Sequence, residues 1–325
     1  MNWTDVLKKY PEANFLQSPE WGTVNESLGE KVITDDFDNH GYALMIVRNA
    51  KRGRYLEIPC GPLVDWKNKT AVKKVLDKIA LTAKENRCAF VRIRPQLLAS
   101  TENLKKLADL GLKKSPMHLA AEHTVIINLE KSEEELLANM RRQTRYDVRR
   151  SEKLGITVEN DNSLETFKEF HKVQAETAKR QNFIPPTPEL LLAEREAFKD
   201  NATIYIAKDP ESKKPIAYGL IIWSGEEADY YEAASTDLNR KLPGAHALIW
   251  QVIKDMKEKG LKRLNLWGIA PEGQPNHRYA GVTTFKTGFG GEIVEFVPAH
   301  DLIINKIKYL PNLIVETARR KKRHL

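Results

Sequence analysis

The chain has 325 residues, room for roughly two domains at about 150 residues each. Hydrophobic residues make up 41% and charged residues 30%, which excludes disordered and collagen-like chains. Lysine and arginine number 52 against 44 acids, a net charge of +8, and the only cysteines, Cys60 and Cys88, exclude a disulfide scaffold or an all-cysteine metal cluster. The longest apolar runs, such as Gly219 to Trp223, fall far short of the ~20 residues of a membrane helix. The opening Met1 to Asp5 lacks the basic-then-apolar pattern of a secretory signal, so the expectation is a cytoplasmic globular protein. Its excess positive charge suits a polyanionic partner (nucleic acid, phosphorylated substrate or anionic membrane), but many globular proteins are basic without one, so the positions of the charges must decide.

In the first half, Tyr42 to Val47 and Arg54 to Pro59 read as strands and Cys60 to Leu63 as a loop. Thr70 to Glu85 reads as a helix, with Val72, Val75, Leu76, Ile79 and Ala83 at helical spacing. Ala89 to Arg94 is a strand ended by Pro95, and Glu102 to Asp109 a second helix. Ser132 and Glu135 then form a capping box, and one long helix is predicted from Ser132 to about Lys153. Between positions 141 and 153 it carries six basic residues against two acids, with Arg141, Arg145 and Arg149 at i, i+4 and i+8. Like charges so spaced repel by a few tenths of a kcal/mol per pair, which sets a phosphate-binding face against a plain solvated one.

Another helix runs from about Ser163 to Lys179, and Pro185 and Pro186 forbid its continuation. In the second half, Thr203 to Ala207, Ile216 to Trp223 and Ala228 to Ala234 read as strands. A Pro243-Gly244 loop leads into the helix Ala245 to Lys257, with Gly260 at its C-terminal end. Arg263 to Trp267 is the next strand, Thr283 to Lys286 runs into Gly288-Phe289-Gly290-Gly291, and Ile293 to Val297 is a closing strand. The order strand, strand, loop, helix, strand, helix, strand therefore occurs twice. It predicts an α/β protein of two tandem domains with mixed sheets, residues 118–297 forming the second and residues 1–117 with a returning 298–325 the first. The chain closes on the basic run Arg319 to Arg323, a solvated tail or a contact with an anionic membrane. No His, Cys, Asp or Glu spacing points to a metal.

The doubled pattern resembles the GNAT acyltransferase fold. A coenzyme-A-dependent member needs a Gln/Arg-x-x-Gly-x-Gly/Ala loop whose backbone N–H groups cradle pyrophosphate at a helix N-terminus. The segment Arg240 to His246 keeps one glycine, offset, and Pro243 removes a donor, so coenzyme A is disfavoured and no cofactor is expected.

Further segments carry a narrower resemblance. Phe15-Leu16-Gln17-Ser18-Pro19-Glu20-Trp21-Gly22, Gly61-Pro62, Arg92-Ile93-Arg94-Pro95, the basic Met140 to Arg150, Leu266-Trp267-Gly268-Ile269 and Phe285-Lys286-x-Gly288-Phe289-Gly290-Gly291 follow in order. Together they resemble the FemABX family, the aminoacyl-tRNA-dependent transferases of peptidoglycan bridge formation, over nearly the whole chain. There is no room for the helical-hairpin arm of some members, so an arm-less member is implied.

The resemblance implies two GNAT-like domains and a direct transfer. The donor would be aminoacyl-tRNA and the acceptor a stem-peptide amine of a peptidoglycan precursor, lipid II or UDP-MurNAc-pentapeptide. An activated ester needs no covalent enzyme intermediate, and no Ser–His–Asp or Cys–His arrangement is legible. The resemblance places Lys286 and Phe285 at the tRNA acceptor end, Lys286 as an ammonium for developing charge and Phe285 as a stacking ring. The plain alternative is a surface lysine beside a core phenylalanine. Lys31 matches a lysine that contacts the uridine diphosphate of the soluble acceptor. Arg180 would hold a phosphate or carboxylate, its alternative being a helix C-terminal cation. Tyr230, Tyr231 and Glu232 fall on a strand that lines the cleft in this fold, where Glu232 could take the amine proton, its alternative being a surface strand carboxylate. Two other readings stand beside the transfer: an acyl-CoA N-acyltransferase of the same fold, and a noncatalytic tRNA-binding protein using the arginine row.

Replacing Arg141, Arg145 and Arg149 together by alanine is expected to weaken tRNA or precursor binding and to flatten its dependence on salt. Binding titrations over a salt series check this, and an unaltered slope returns the row to a solvated face.

Overall fold

The computed structural model describes residues 2–181, 183–274, 277 and 279–323, with side chains to residue 320. The chain divides into two compact units, Met1–Glu122 with Val294–Leu325, and His123–Ile293.

The first unit opens with α1 (Trp3–Lys9) and α2 (Pro19–Ser27), followed by β1 (Lys31–Asp35), β2 (Gly41–Ala50), β3 (Gly53–Pro59) and β4 (Leu63–Val64). Next come α3 (Lys69–Glu85), β5 (Phe90–Arg94), α4 (Thr101–Asp109) and β6 (Lys113–Lys114). The second unit holds β7 (His123–Asn128), α5 (Glu133–Asn139), α6 (Arg142–Lys153), β8 (Thr157–Asp161), α7 (Leu164–Gln181) and α8 (Pro188–Phe198). It continues with β9 (Ala202–Lys208), β10 (Pro215–Ser224), β11 (Glu227–Ser235), α9 (Gly244–Glu258), β12 (Arg263–Gly268) and α10 (Ala280–Thr287), and β13 (Glu292–Glu295) leads out of it. The returning segment carries β14 (His300–Ile303) and α11 (Lys306–Arg323).

The two sheets run β1-β2-β3-β5-β14-β6, with β4 on β2, and β13-β7-β12-β11-β10-β9-β8. Each is built around one supersecondary unit. In the first, the antiparallel pair β2/β3 is followed by α3 and by β5 parallel to β3. In the second, the antiparallel pair β10/β11 is followed by α9 and by β12 parallel to β11. A parallel return requires a crossover, and the two helices supply it. Asn68 caps α3 by accepting the Ala71 N–H at 3.0 Å. The α3 stripe Val72, Val75, Leu76 and Ile79 packs into the core of its sheet, as Leu248, Ile249, Val252 and Ile253 of α9 do in theirs.

The Gln17 motif is structural. Its side chain accepts the Leu44 N–H at 2.9 Å and donates to Leu44 O and Pro59 O at 3.2 and 2.6 Å. Paired register between β2 and β3 stops at Ile46/Glu57, so Gln17 satisfies backbone groups where the two strands part. Gly61 is required there, because a Cβ would lie 2.8 Å from the Gln17 amide.

One long helix over Ser132 to Lys153 is not what forms. Ser132 and Glu135 do make the capping box, but α5 ends at Asn139, and Met140 is extended at φ −65°, ψ 144°. Met140 is buried, and the Arg141 N–H donates to Gly288 O at 2.8 Å instead of continuing the helical ladder. Tertiary contact with the glycine segment breaks the helix, and α6 restarts at Arg142.

Arg92 is buried on β5 and donates to both oxygens of Asp301 on β14 at 2.7 and 2.9 Å and to Glu316 on α11 at 2.7 Å. Tyr309 adds its hydroxyl to Asp301 at 2.9 Å. These carboxylates raise the Arg92 pKa against the opposing effect of burial. Arg92→Ala leaves Asp301, 0% exposed, without its cation, and is expected to cost about 3–5 kcal/mol in a urea unfolding titration.

Candidate active site

Two local irregularities build the site in the second unit. Leu220 pairs with Glu232 and Ile221 with Tyr230, so Tyr231 is an extra residue in β11, a β-bulge. Strand alternation would put Tyr230 and Glu232 on the same face; the bulge separates them. Tyr230 packs in the core with Leu248 of α9, its ring over Gly219, where a Cβ would come within 2.4 Å of it. Glu232 turns to the other face, where Gln174 of α7 donates to Oε2 at 2.7 Å.

The second irregularity is in β12. It pairs with β11 only over Arg263–Asn265, after which the two strands part. Asn265, buried, accepts from the Thr124 hydroxyl and from the Trp267 N–H, the latter at 2.9 Å. Trp267 itself lies at φ 61°, a left-handed conformation that costs a bulky residue of order 1–3 kcal/mol. Its ring meets Tyr231 edge-on with centroids 5.2 Å apart, linking the parted strands.

Lys286 on α10 closes the group. It is only 8% exposed, so the surface-lysine alternative does not hold, and Nζ donates to Gly268 O at the end of β12 at 2.9 Å. Burial pulls its pKa down to about 7, opposed by the charge of Glu232. Burial pushes Glu232 up to about 7, opposed by Lys286 and by the Gln174 hydrogen bond. At neutral pH this couple can hold or release a proton at either member.

Glycines let α10 approach closely enough. A Cβ on Gly288 would lie 2.2 Å from Thr144 Oγ1, and one on Gly290, at φ 80°, 2.3 Å from Asn139 O. The Phe285-Lys286-x-Gly288-Phe289-Gly290 run is thus a packing motif that presents Lys286. Phe285 is half-buried against His246 and Phe289, with centroids 5.0 and 5.2 Å away. Burial, the largest influence, lowers the pKa of His246.

The other anticipated residues go elsewhere. Arg180 donates to Ser235 O and to Thr177, tying α7 to the end of β11. Arg141 donates to Thr284 O, and Arg145 to Leu137 O and Ala138 O at the C-terminus of α5, while Arg149 is exposed on α6. Lys31 belongs to the first unit, where Nζ donates to Asn86 at 2.7 Å. Among the described residues no cluster of His, Cys, Asp and Glu could hold a metal, and no helix is long and apolar enough to cross a membrane.

Sequence reasoning missed Glu194. It is 0% exposed on α8, and neither carboxyl oxygen has a hydrogen-bond partner among the described residues. Burial first, and the charge of Glu232 second, raise its pKa well above the ordinary carboxylate range. The signal was its place in the stripe Leu191, Glu194, Phe198, an acid at a core position of a helix. Because the folded state holds this proton above the pH where the unfolded chain releases it, stability falls as pH rises. The slope is up to about 1.4 kcal/mol per pH unit, beginning near pH 4.3. Glu194→Gln is expected to remove its share of that slope in urea titrations upward from about pH 4, leaving the share of Glu232, whose pKa is also raised, and an unchanged slope assigns the pH dependence to other groups.

Comparison with known proteins agrees with this architecture. The model of the FemAB family matches twice, over residues 2–209 and 191–316. Aminoacyltransferase FemA of Staphylococcus epidermidis is 23% identical, over 92% of this chain and 91% of the relative. FemA of Staphylococcus aureus is 20% identical, over 77% and 79%. Among solved structures, the crystal structure of FemX superposes with a TM-score of 0.83 at 19% identity, covering 96% of this chain and 97% of the other. The structure of L-PGS from Bacillus licheniformis shares the fold at a TM-score of 0.62 and 14% identity, covering 97% and 95%. A tandem GNAT protein from the clavulanic acid biosynthesis pathway matches at 0.53 and 9%, over 82% and 79%. With a bulged strand, a buried lysine and a doubled GNAT-like sheet on the same chain as these matches, the protein belongs to the FemAB family and is an aminoacyltransferase enzyme.

Proposed function

We propose that this enzyme moves an amino acid from aminoacyl-tRNA to the stem-peptide amine of a peptidoglycan precursor, lipid II or UDP-MurNAc-pentapeptide. The observation that carries the reading is the couple of buried Lys286, bonded to Gly268 O at the end of β12, and half-buried Glu232 on β11, each opposing the other's pKa shift. Family membership supplies the class of reaction; the couple supplies groups suited to it.

The acceptor amine attacks the ester carbonyl of the aminoacyl group. A C–N bond forms, the C–O bond to the ribose breaks, and one proton must leave the nitrogen while one reaches the ribose oxygen. Glu232, ionised, takes the proton from the amine. Lys286, protonated, stabilises the negative oxygen that develops and gives its proton to the departing ribose hydroxyl. Glu232 then releases its proton and Lys286 regains one through solvent, which restores the starting state. Phe285 offers an apolar face beside Lys286 for the terminal adenosine, and Tyr231 with Trp267 lines the parting. Tyr230 supports the site from the core, and Arg180 holds the end of β11 in place. Of the arginine row, Arg149 is the exposed member offered to a phosphate, because Arg141, though also exposed, and Arg145 are engaged with backbone carbonyls. Lys31 remains a precursor contact in the first unit.

The acyl-CoA reading is weakened by the N-terminus of α9. There the Gly244 N–H donates to Leu242 O at 2.8 Å and the Ala245 N–H to Asn239 Oδ1 at 2.9 Å, so neither is free for a pyrophosphate.

The test charges tRNA with labelled amino acids one at a time and offers lipid-linked and UDP-linked muramyl pentapeptides. Label that reaches one acceptor and is lost on ribonuclease treatment establishes the reaction; no transfer with any pair, alongside coenzyme A binding, overturns it. The rate is expected to peak near pH 7, because Glu232 works above its pKa and Lys286 below its own. Glu232→Gln is expected to cut kcat about 10²-fold or more and abolish the acid limb, and Lys286→Ala to do the same for the alkaline limb.

A further inference from the structure

Helix α11 docks on the first unit by one face only. Tyr309 and Asn312 are buried, and Glu316 meets Arg92. The opposite face is apolar and open: Ile307 is 86% exposed, Leu310 53% and Ile314 60%. At 3.6 residues per turn these three fall within about 60° of one another, roughly half a turn from Tyr309, Asn312 and Glu316. Lys306, Lys308 and Arg319 are exposed along the same helix. Over Lys306–Arg323 there are seven basic residues and one acid, and that acid, Glu316, is turned inward.

We propose that α11 is a docking helix that lies flat on an anionic lipid surface, with Ile307, Leu310 and Ile314 at the acyl boundary and Lys306, Lys308 and Arg319 against lipid phosphates. A basic helix with a separate aliphatic face is the pattern that partitions into a bilayer interface. Charge complementarity selects an anionic surface. A second copy of the chain would bring the same excess of positive charge against itself. RNA would use the charges and leave the aliphatic stripe without a role, since its bases stack on aromatic and arginine planes. The proposal stands on the helix alone and does not depend on the transfer reaction, so its test reads binding without turnover.

The full chain is sedimented with vesicles of phosphatidylcholine, and with vesicles in which about a third of the lipid is phosphatidylglycerol, at low and high salt. Binding is expected at a roughly tenfold lower lipid concentration in the anionic vesicles and is expected to weaken with salt. Ile307→Ser/Leu310→Ser/Ile314→Ser is expected to lower anionic-vesicle binding about tenfold or more with circular dichroism unchanged. Lys306→Glu/Lys308→Glu is expected to lower it comparably in the anionic arm alone. If the triple variant fails to fold, Ile307→Ser by itself carries the comparison. Absence of sedimentation with either vesicle, or a serine variant that binds like the parent, overturns the proposal. So does a dimer in gel filtration that the serine variant dissolves, or binding of uncharged tRNA that the serine variant loses.

Discussion

One extra residue in one strand is the constraint on which the site depends. Tyr231 bulges from β11 and turns Glu232 away from the core that holds Tyr230. A regular strand would place Glu232 among the leucine and isoleucine side chains of α9, where a carboxyl has no partner and the desolvation cost is prohibitive. The bulge sends it instead to Gln174. The same region is where β11 and β12 cease to pair, so irregular backbone and unpaired edge coincide with the ionisable groups. The left-handed Trp267 is held by Asn265, whose amide oxygen binds the Trp267 N–H and the Thr124 hydroxyl.

The electrostatics follow from burial rather than from close ion pairing. Lys286 is deprived of water and fastened to a neutral carbonyl, and Glu232 is half-buried and fastened to an amide. Each is pushed toward its neutral form, and each partly restrains the other. Glu194, fully buried and with no hydrogen-bond partner among the described residues, is pushed further and stays neutral where Glu232 titrates. Lys286 and Glu232 thus both titrate near neutrality while the neighbouring Glu194 stays protonated, so one small region holds two protonation regimes.

The two units use one supersecondary plan for different ends. In the first, the place where β2 and β3 part is filled by the Gln17 side chain, and its buried cations are committed: Arg92 to Asp301 and Glu316, Arg94 to Gln96 and Cys60. In the second, Tyr231 and Trp267 meet edge-on where β11 and β12 part, and Lys286 is bonded to Gly268 O at the end of β12. The same hairpin, crossover helix and parallel strand therefore carry committed polar groups in one case and ionisable groups with shifted pKa values in the other.

The amino-acid pattern by itself determined the doubled order of strands and helices, because amphipathic periodicity and caps such as Asn68 and Ser132 are local properties. It also brought out Lys286 and Glu232 by resemblance, though not their burial. Only the tertiary structure decided where the helix after Ser132 breaks, since Gly288 O, some 150 positions away in the chain, takes the Arg141 N–H. It alone decided that Arg141 and Arg145 serve backbone carbonyls and that Tyr231 bulges, a departure no glycine or proline announces. Glu194 drew no reading from the sequence. Its charge state, like those of Lys286 and Glu232, is set by which atoms exclude water from it, and that is a property of packing between distant segments rather than of sequence.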